Sequence, residues 1–475
     1  MRKLVEFQIL DFNAAHYGID LFELMTNAGK VIATYIQHNY SQSEKIVFVC
    51  GSGNNGGDGY IASKILYEKG FEVTVVVAAS PKTDIARKAF EQFGNDTVNI
   101  SFLNDYISNT KLVVDCLLGS GIQGVPRTPF DKYIKQINKF ENILAIDVPS
   151  GLGTETSVIP DSTLTFHDKK VGMNKVNCGK ILVKDIGFPK DIDELTGPGE
   201  LLLFPKFERN KHKGQNGKVA VIGGGQYSGA PALSALGAYR SGVDLVHVFV
   251  PESSYEQVST FAPELIVHKL FGDTITTENI GTLFEDEFDS IVIGPGMGKD
   301  EASLEAVQLI IEKCDNLVID ADAISIHDFH GKNIILTPHK GELLRLGIQA
   351  QRNDLKLFAK MNNLTLLFKG EIDLITDGHF FKKNMTGHPR MAVGGSGDVL
   401  AGVCGAFMAK GLTSFESARL AAYSLGKAGE KCNEEIGAGF LPTDLALSLS
   451  KILLNNNEES YKYQIYEINR KNKVY

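Results

Sequence analysis

Two stretches of this 475-residue chain combine residue types that catalysis needs at short spacing. The first is GSGNNGGDGY, residues 51–60, which follows the apolar run KIVFVC and holds five glycines in ten positions. Gly51, Gly53, Gly56, Gly57 and Gly59 are expected to adopt backbone conformations closed to other residues and to bring N–H groups close to an anion at a helix N-terminus. A tight turn also explains the glycines, but Asn54, Asn55 and Asp58 are polar where a turn needs only small residues, which favours a ligand. Two more apolar runs end in similar chemistry: Asp115 opens DCLLGSGIQG, and Asp147 and Ser150 sit in AIDVPSG. The carboxyl ends of parallel strands line one crevice, so Asn55, Asp115, Asp147 and Ser150 are expected to meet there. For either aspartate alone, a helix cap or turn is an equal explanation.

The second stretch is GGSGD, Gly394, Gly395, Ser396, Gly397 and Asp398, ahead of a strongly helical run starting at Val399. Amides at a helix start stabilise charge on a phosphoryl group in transfer. Asp398 is placed there to take a proton from an attacking hydroxyl, the alternative being a simple helix cap. The pattern GxxxxGK[ST] is absent, which argues against a Walker-type nucleotidase. His339 in TPHKGE suits either a ligand contact or a structural hydrogen bond. His327 and His330 lack a third ligand, so no metal is assigned to them.

These residues need elements to hold them. Residues 45–50, 71–77, 111–117 and 143–148 are apolar and β-branched, the mark of strands buried on both faces, and stretches such as 60–69 and 130–140 between them have helical spacing. A leading helix pair is expected over 13–38. Residues 190–217 lose any clear period, placing a domain junction near Pro205. A second α/β series follows, with strands at 218–222, 245–250, 290–293, 316–319, 333–336 and 364–368. Two different α/β domains, 1–205 and 206–475, are expected, the first a doubly wound sheet.

Composition narrows the partners. Hydrophobic residues make up 43% of the chain and charged ones 22%, and the net charge is −9 without a Lys/Arg block, which disfavours a nucleic-acid partner. No run is long enough to span a membrane. Six scattered cysteines without CxxC fit a reducing compartment, so a cytoplasmic protein is expected. Its partners are expected to be small molecules and further copies of itself.

GxGNNGGDG, DCLLGSG and AIDVPSG, together with LMTNAG (24–29) and TFHDKKVG (165–172), resemble the NAD(P)H-hydrate epimerase domain, a Rossmann-like fold, over residues 1–205. That resemblance implies that Asn54, Asn55, Gly56, Gly57, Asp58, Gly119, Ser120, Gly121, Ile122, Gln123, Gly124, Val125 and Asp147 bind a hydrated dinucleotide. It further implies that Asn55, Asp115 and Ser150 hold a potassium ion, and that Asp147 is the general acid or base.

GGSGD before an Ala/Gly-rich helix is similar to the ribokinase-like superfamily. HKGQNGKVAVIGGG, GAPALSALGAYRSG, GPGMG, DADAI, TPHKGEL and KGEIDLI narrow this to the ADP/ATP-dependent NAD(P)H-hydrate dehydratase domain over about 206–450. By this resemblance Lys369, Gly370, Glu371, Ile372, Asp373, His388, Gly394, Gly395, Ser396 and Gly397 hold ADP or ATP with Mg²⁺. Gly296, His339 and Asp398 contact the hydrated cofactor, with Asp398 as the catalytic base. His388 and Arg390 depart from the Asn and Gly of the family's GNPGMA. The implied activity is repair of hydrated NADH and NADPH: epimerisation of the R and S forms, then nucleotide-dependent dehydration of the S form. The alternative is a ribokinase-like kinase acting on a vitamin alcohol, with a non-catalytic N-terminal module.

Overall fold

The computed structural model describes residues 1–120, 124–329 and 332–453; Gly121, Ile122, Gln123, His330 and the Asn-rich residues 455–457 lie outside them. The chain divides into two compact units, Met1–Ile192 and Asp193–Tyr475.

The first unit carries a seven-stranded sheet, β1 (Ile46–Cys50), β2 (Val73–Val77), β3 (Val98–Asn99), β4 (Leu112–Cys116), β5 (Ile143–Ile146), β6 (Ser162–Phe166) and β7 (Lys180–Lys184), in the order β3-β2-β1-β4-β5-β6-β7. Every pairing is parallel. The helices are α1 (Leu4–His16), α2 (Leu21–Asn39), α3 (Asn54–Glu68), α4 (Asp84–Phe93), α5 (Phe130–Ile137) and the short α6 (Lys175–Cys178). Strand β1 shows why its run is apolar throughout. Ile46, Phe48 and Cys50 pack with Ile32, Tyr60 and Phe93 on one face, while Val47 and Val49 pack with Ile134 and Ile137 on the other. Alternate side chains point to opposite faces, and helices cover both, so no position tolerates a polar residue. The sheet order reverses between β1 and β4, the switch point at which doubly wound sheets bind ligands.

The second unit carries nine strands: β8 (Lys218–Ile222), β9 (Leu245–Pro251), β10 (Ile266–Leu270), β11 (Ser290–Ile293), β12 (Asn316–Ile319), β13 (Asn333–Leu336), β14 (Thr365–Phe368), β15 (Asp373–Thr376) and β16 (Phe381–Asn384). Their order is β10-β9-β8-β11-β12-β13-β14-β15-β16. All pairings are parallel except those of the β14-β15-β16 edge, an antiparallel hairpin not expected from the sequence. Its helices are α7 (Gly229–Arg240), α8 (Glu252–Ser259), α9 (Glu301–Lys313), α10 (Lys340–Arg345), α11 (Arg352–Asn362), α12 (Ser396–Ala409), α13 (Ser414–Glu435) and α14 (Pro442–Leu453).

The division between units falls before Asp193, upstream of the boundary expected near Pro205. The aperiodic residues 193–205 are anchored to the second unit by buried Leu201, Leu203 and Phe204, the last with its ring 5.9 Å from that of Phe407, and by polar contacts. Thr196 N donates to Lys383 O at 3.0 Å, Thr196 Oγ1 to Asn384 Oδ1 at 2.8 Å, and the fully buried Glu200 lies 3.3 Å from Arg419 Nε. Among the described residues no helix is long and apolar enough to cross a membrane, and no group of three or more His, Cys, Asp or Glu is arranged to hold a metal ion.

Candidate functional site

In the first unit Asn55, Asp115 and Ser150, at the ends of three neighbouring strands, join one buried network. Ser150 Oγ donates to Asp115 Oδ1 at 2.6 Å, and Ser150 N to Asp115 Oδ2 at 2.9 Å. Leu118 N donates to Ser150 Oγ at 2.8 Å, and Asn55 Nδ2 to Leu118 O at 3.2 Å. Burial lifts the Asp115 carboxyl to about 6 against the opposing pull of the Ser150 hydrogen bonds. Asn55 Oδ1 is buried and accepts nothing. An orphaned carbonyl oxygen beside a buried carboxylate and a hydroxyl is a hard-oxygen donor set that fits an alkali cation.

Asp147 follows β5 in the left-handed region, at φ 64°. Its Oδ1 accepts from Lys170 Nζ at 2.5 Å. Two further carboxyls belong to the same cluster. Burial, then the charges of Asp147 and Asp11, push Asp58 well above its ordinary value, and burial followed by Asp147 lifts Asp11 to about 7. Burial and the crowding of like charges thus favour the protonated forms of Asp11 and Asp58 beside the Lys170–Asp147 pair.

The glycines of the first stretch act differently from the expectation. Gly51, Gly53, Gly56, Gly57 and Gly59 are all absent from the positive-φ residues, and NNGGD forms the first turns of α3, which begins at Asn54. A Cβ on Gly56 would stand 2.2 Å from Gly51 O, and one on Gly59 would stand 2.8 Å from Cys50 Sγ. These positions are glycine because α3 presses onto β1 and β4, a demand of packing, and only then does its N-terminus reach the crevice. A Cβ on Gly119 would meet that of Asn55 at 3.1 Å; Gly124 is open, and Val125 is 65% exposed. Asn54 Oδ1 faces away, accepting from Thr83 Oγ1 at 2.7 Å.

In the second unit α12 begins at Ser396, three residues earlier than expected, so GGSGD is the helix start itself. Gly395 sits at φ 100°, where a Cβ would lie 2.6 Å from Leu233, so this turn requires glycine. Ser396 Oγ and Arg390 Nε, on either side of the turn, are buried donors without a partner, as an anion site requires. Lys369 Nζ reaches the same turn, 3.3 Å from where a Cβ of Gly397 would stand. It pairs with buried Asp320 at 2.7 Å, and Asp320 Oδ1 also accepts from Thr337 Oγ1 at 2.7 Å. Burial opposes the charge on Lys369, but Asp320 and Glu342 outweigh it and raise its titration. Burial, then Asp320, lifts Asp398 to about 7, leaving it poised to accept a proton near neutral pH.

Other expected contacts turn out to be partly scaffold. His339 caps α10: its Nδ1 accepts from Gly341 N at 2.9 Å and Glu342 N at 3.2 Å, which places its ring proton on Nε2. Asp373 accepts from Gly370 N and Asn384 Nδ2, tying the turn after Lys369 to the β15-β16 hairpin, while Glu371 and Ile372 are exposed. His388 does the work expected of Asn: its Nδ1 accepts from Arg390 N at 3.2 Å. Gly296, at φ 68°, would clash with Tyr227 O at 2.2 Å if it bore a side chain. His327 Nε2 donates to Ala323 O at 3.1 Å, a structural contact.

Sequence reasoning missed Lys170 and Asp11 in the first cluster and Asp320, Thr337 and Glu342 in the second. Asp320 was the recoverable one, since it ends an apolar run as Asp115 and Asp147 nearly do. Lys170 and Asp11 carry no such signal.

Residues 21–172 match the family model described as YjeF-related protein N-terminus, and residues 219–451 match that of NAD(P)H-hydrate dehydratase. The chain is 37% identical over 459 residues to a bifunctional NAD(P)H-hydrate repair enzyme of Archaeoglobus fulgidus, covering 94% of this chain and 97% of that one. It is 34% identical to the same-named protein of Methanothermobacter thermautotrophicus, covering 95% of each. Among solved structures it resembles an ADP/ATP-dependent NAD(P)H-hydrate dehydratase of Bacillus subtilis co-crystallized with ATP/Mg²⁺, at TM-score 0.50 and 24% identity, over 55% of this chain and 97% of that one. A ribokinase-like superfamily protein of Enterococcus faecalis is similar at TM-score 0.50 and 24% identity, over 55% of this chain and 95% of that one.

Proposed function

Because the chain belongs to the family of bifunctional NAD(P)H-hydrate repair enzymes, we propose a division of labour between its two crevices. The chain restores hydrated NADH and NADPH: the first unit epimerises the R and S hydrates, and the second dehydrates the S hydrate at the expense of ADP or ATP. The observation that carries the second assignment is Asp398, titrating near 7 at the start of α12 beside Lys369 and two unpartnered donors.

Hydration leaves a hydroxyl on the ring carbon next to the ring nitrogen. Asp398 takes the proton of that hydroxyl as its oxygen bonds to the terminal phosphorus of the nucleotide and the bridging P–O bond breaks. The amides of Gly394, Gly395, Ser396 and Gly397, with Lys369, meet the charge on the phosphoryl oxygens. Loss of phosphate from that carbon and of a proton from its neighbour regenerates the ring double bond. Mg²⁺ bound with the nucleotide supplies neutralisation of phosphate charge. Lys369, Gly370, Glu371, Ile372, Asp373 and His388 frame the nucleotide, with Asp373 and His388 shaping the loops; Gly296, His339 through Nε2, and Asp398 face the hydrate.

In the first crevice the hydrate lies against Asn54, Asn55, Gly56, Gly57, Asp58 and the loop residues Gly119, Ser120, Gly124 and Val125, with Asp147 moving the proton at the epimerised carbon. Asn55, Asp115 and Ser150 would hold a potassium ion, which supplies counter-charge for the buried Asp115 and steadies the strand ends. Six unpaired cysteines fit a cytoplasmic setting.

The test is recovery of NADH absorbance from mixed hydrate epimers with ADP or ATP. Asp398→Ala is expected to abolish recovery from both epimers. Asp147→Ala is expected to slow use of the R epimer and spare the S epimer; equal loss of both would overturn the assignment of the first crevice. Consumption of nucleotide only with a vitamin alcohol, and none with the hydrate, would establish the kinase alternative.

A further inference from the structure

We propose that Lys170 is the positioning residue of the first crevice: its buried ammonium fixes one oxygen of Asp147 so that the other is presented to the substrate. The inference rests on the reading of Asp147 as the proton-transfer group.

Lys170 is 1% exposed, whereas the Asp147 side chain keeps 16% exposure, so the pair runs from the core to the crevice. A lysine ammonium has three protons. Those of Lys170 go to Asp147 Oδ1 at 2.5 Å, Thr165 Oγ1 at 2.7 Å and Phe166 O at 3.0 Å. No donor is left for a substrate, so Lys170 acts only through Asp147. Asp147 Oδ2 accepts no hydrogen bond from a described residue. The backbone of Asp147 is held in the left-handed region by its N–H, which donates to Leu164 O at 2.8 Å. Such a conformation persists in a non-glycine residue only where its surroundings over-determine it.

The leading helix closes the arrangement from a position outside the matched 21–172 segment. Phe7 of α1 lays its ring 4.2 Å from Lys170 Nζ, and Asp11 of α1 senses both Asp147 and Lys170. The titratable groups facing the pair are Asp11 from α1, Asp58 from α3 and His167 from the turn after β6. A buried ammonium is tolerated only when its protons and charge are met, and here Asp147 supplies the carboxylate in direct contact while Thr165 and Phe166 accept the other two protons.

The experiment compares Asp147→Asn, Lys170→Met and the double variant in the full-length chain, reading R-epimer turnover, with S-epimer dehydration as the control for the second unit and thermal unfolding as the control for folding of the first. Each single variant is expected to lower kcat for the R epimer about 100-fold with KM changed less than about 3-fold, the scale of a lost acid–base contribution. The double variant is expected to match Asp147→Asn alone, because Lys170 has no second route to the substrate. If Lys170→Met fails to fold, the comparison of Asp147→Asn with the charge-free double variant still decides. A further loss in the double variant, or a Lys170→Met effect carried wholly in KM, overturns the proposal. Unimpaired R-epimer turnover in Asp147→Asn overturns the reading of Asp147 on which it depends.

Discussion

At the scale of single residues, the two crevices use burial in opposite ways. In the second, burial leaves Asp398 half-ionised near pH 7, and in the first an ammonium offsets crowded carboxyls. Asp398 must be ionised to accept a proton, so dehydration is expected to rise through pH 7, with an acid limb in kcat that vanishes in no folded variant retaining Asp398. The same residue costs the fold something. Its folded-state value is raised, so the unfolded chain releases its proton first and stability is lost as pH rises from about 4 towards 7. Asp398→Asn is therefore expected to abolish dehydration yet raise Tm at pH 7.5, measured by thermal unfolding; a lowered Tm would mean that Asp398 stabilises the turn as a cap. Lys369→Met should give the opposite outcome, a lower Tm, because Asp320 would be left buried without its counter-charge.

At the scale of elements, both crevices depend on a glycine-marked helix start pressed against strand ends. Gly56→Ala gains up to about 1 kcal/mol of helix propensity but puts a methyl 2.2 Å from a backbone carbonyl, and overpacking of this kind costs about 1–3 kcal/mol. The clash wins, so the variant is expected to unfold earlier and to lose epimerisation while S-epimer dehydration persists. A second element-level feature is the pair His247 on β9 and His268 on β10, stacked with Nδ1 and Nε2 at 2.9 Å. Burial, then His268 and Lys218, lowers His247 to about 4. The unfolded imidazole takes its proton near pH 6.5, so this contribution is present above that pH and lost as pH falls towards 4. The drop in Tm from pH 7 to pH 5 is expected to be smaller in His247→Phe than in wild type; an equal drop would remove the pair from the account.

At the scale of the whole molecule, the chain alternation was legible because strands buried on both faces must be continuously apolar, as 46–50 and 219–222 are. Strand-end polar residues were legible together rather than singly: Asp115, Asp147 and Ser150 follow apolar runs at successive strand ends, where a shared crevice accounts for all of them and a cap or turn accounts for each alone. The edges were not. The β15-β16 hairpin is short and half polar, and the segment 193–205 attaches to the second unit through an irregular mix of buried Leu201, Leu203 and Phe204 with polar Thr196 and Glu200, which has no period. What the order of residues determined by itself was therefore the set of strands, the two glycine-marked helix starts and the carboxylates beside them, all set by local burial and backbone sterics. Only the tertiary structure decided which distant groups share a charge: Lys170 with Asp147, Asp11 with Asp58, Lys369 with Asp320. Electrostatic pairing in a desolvated crevice depends on distance in space, and sequence separation carries no record of it.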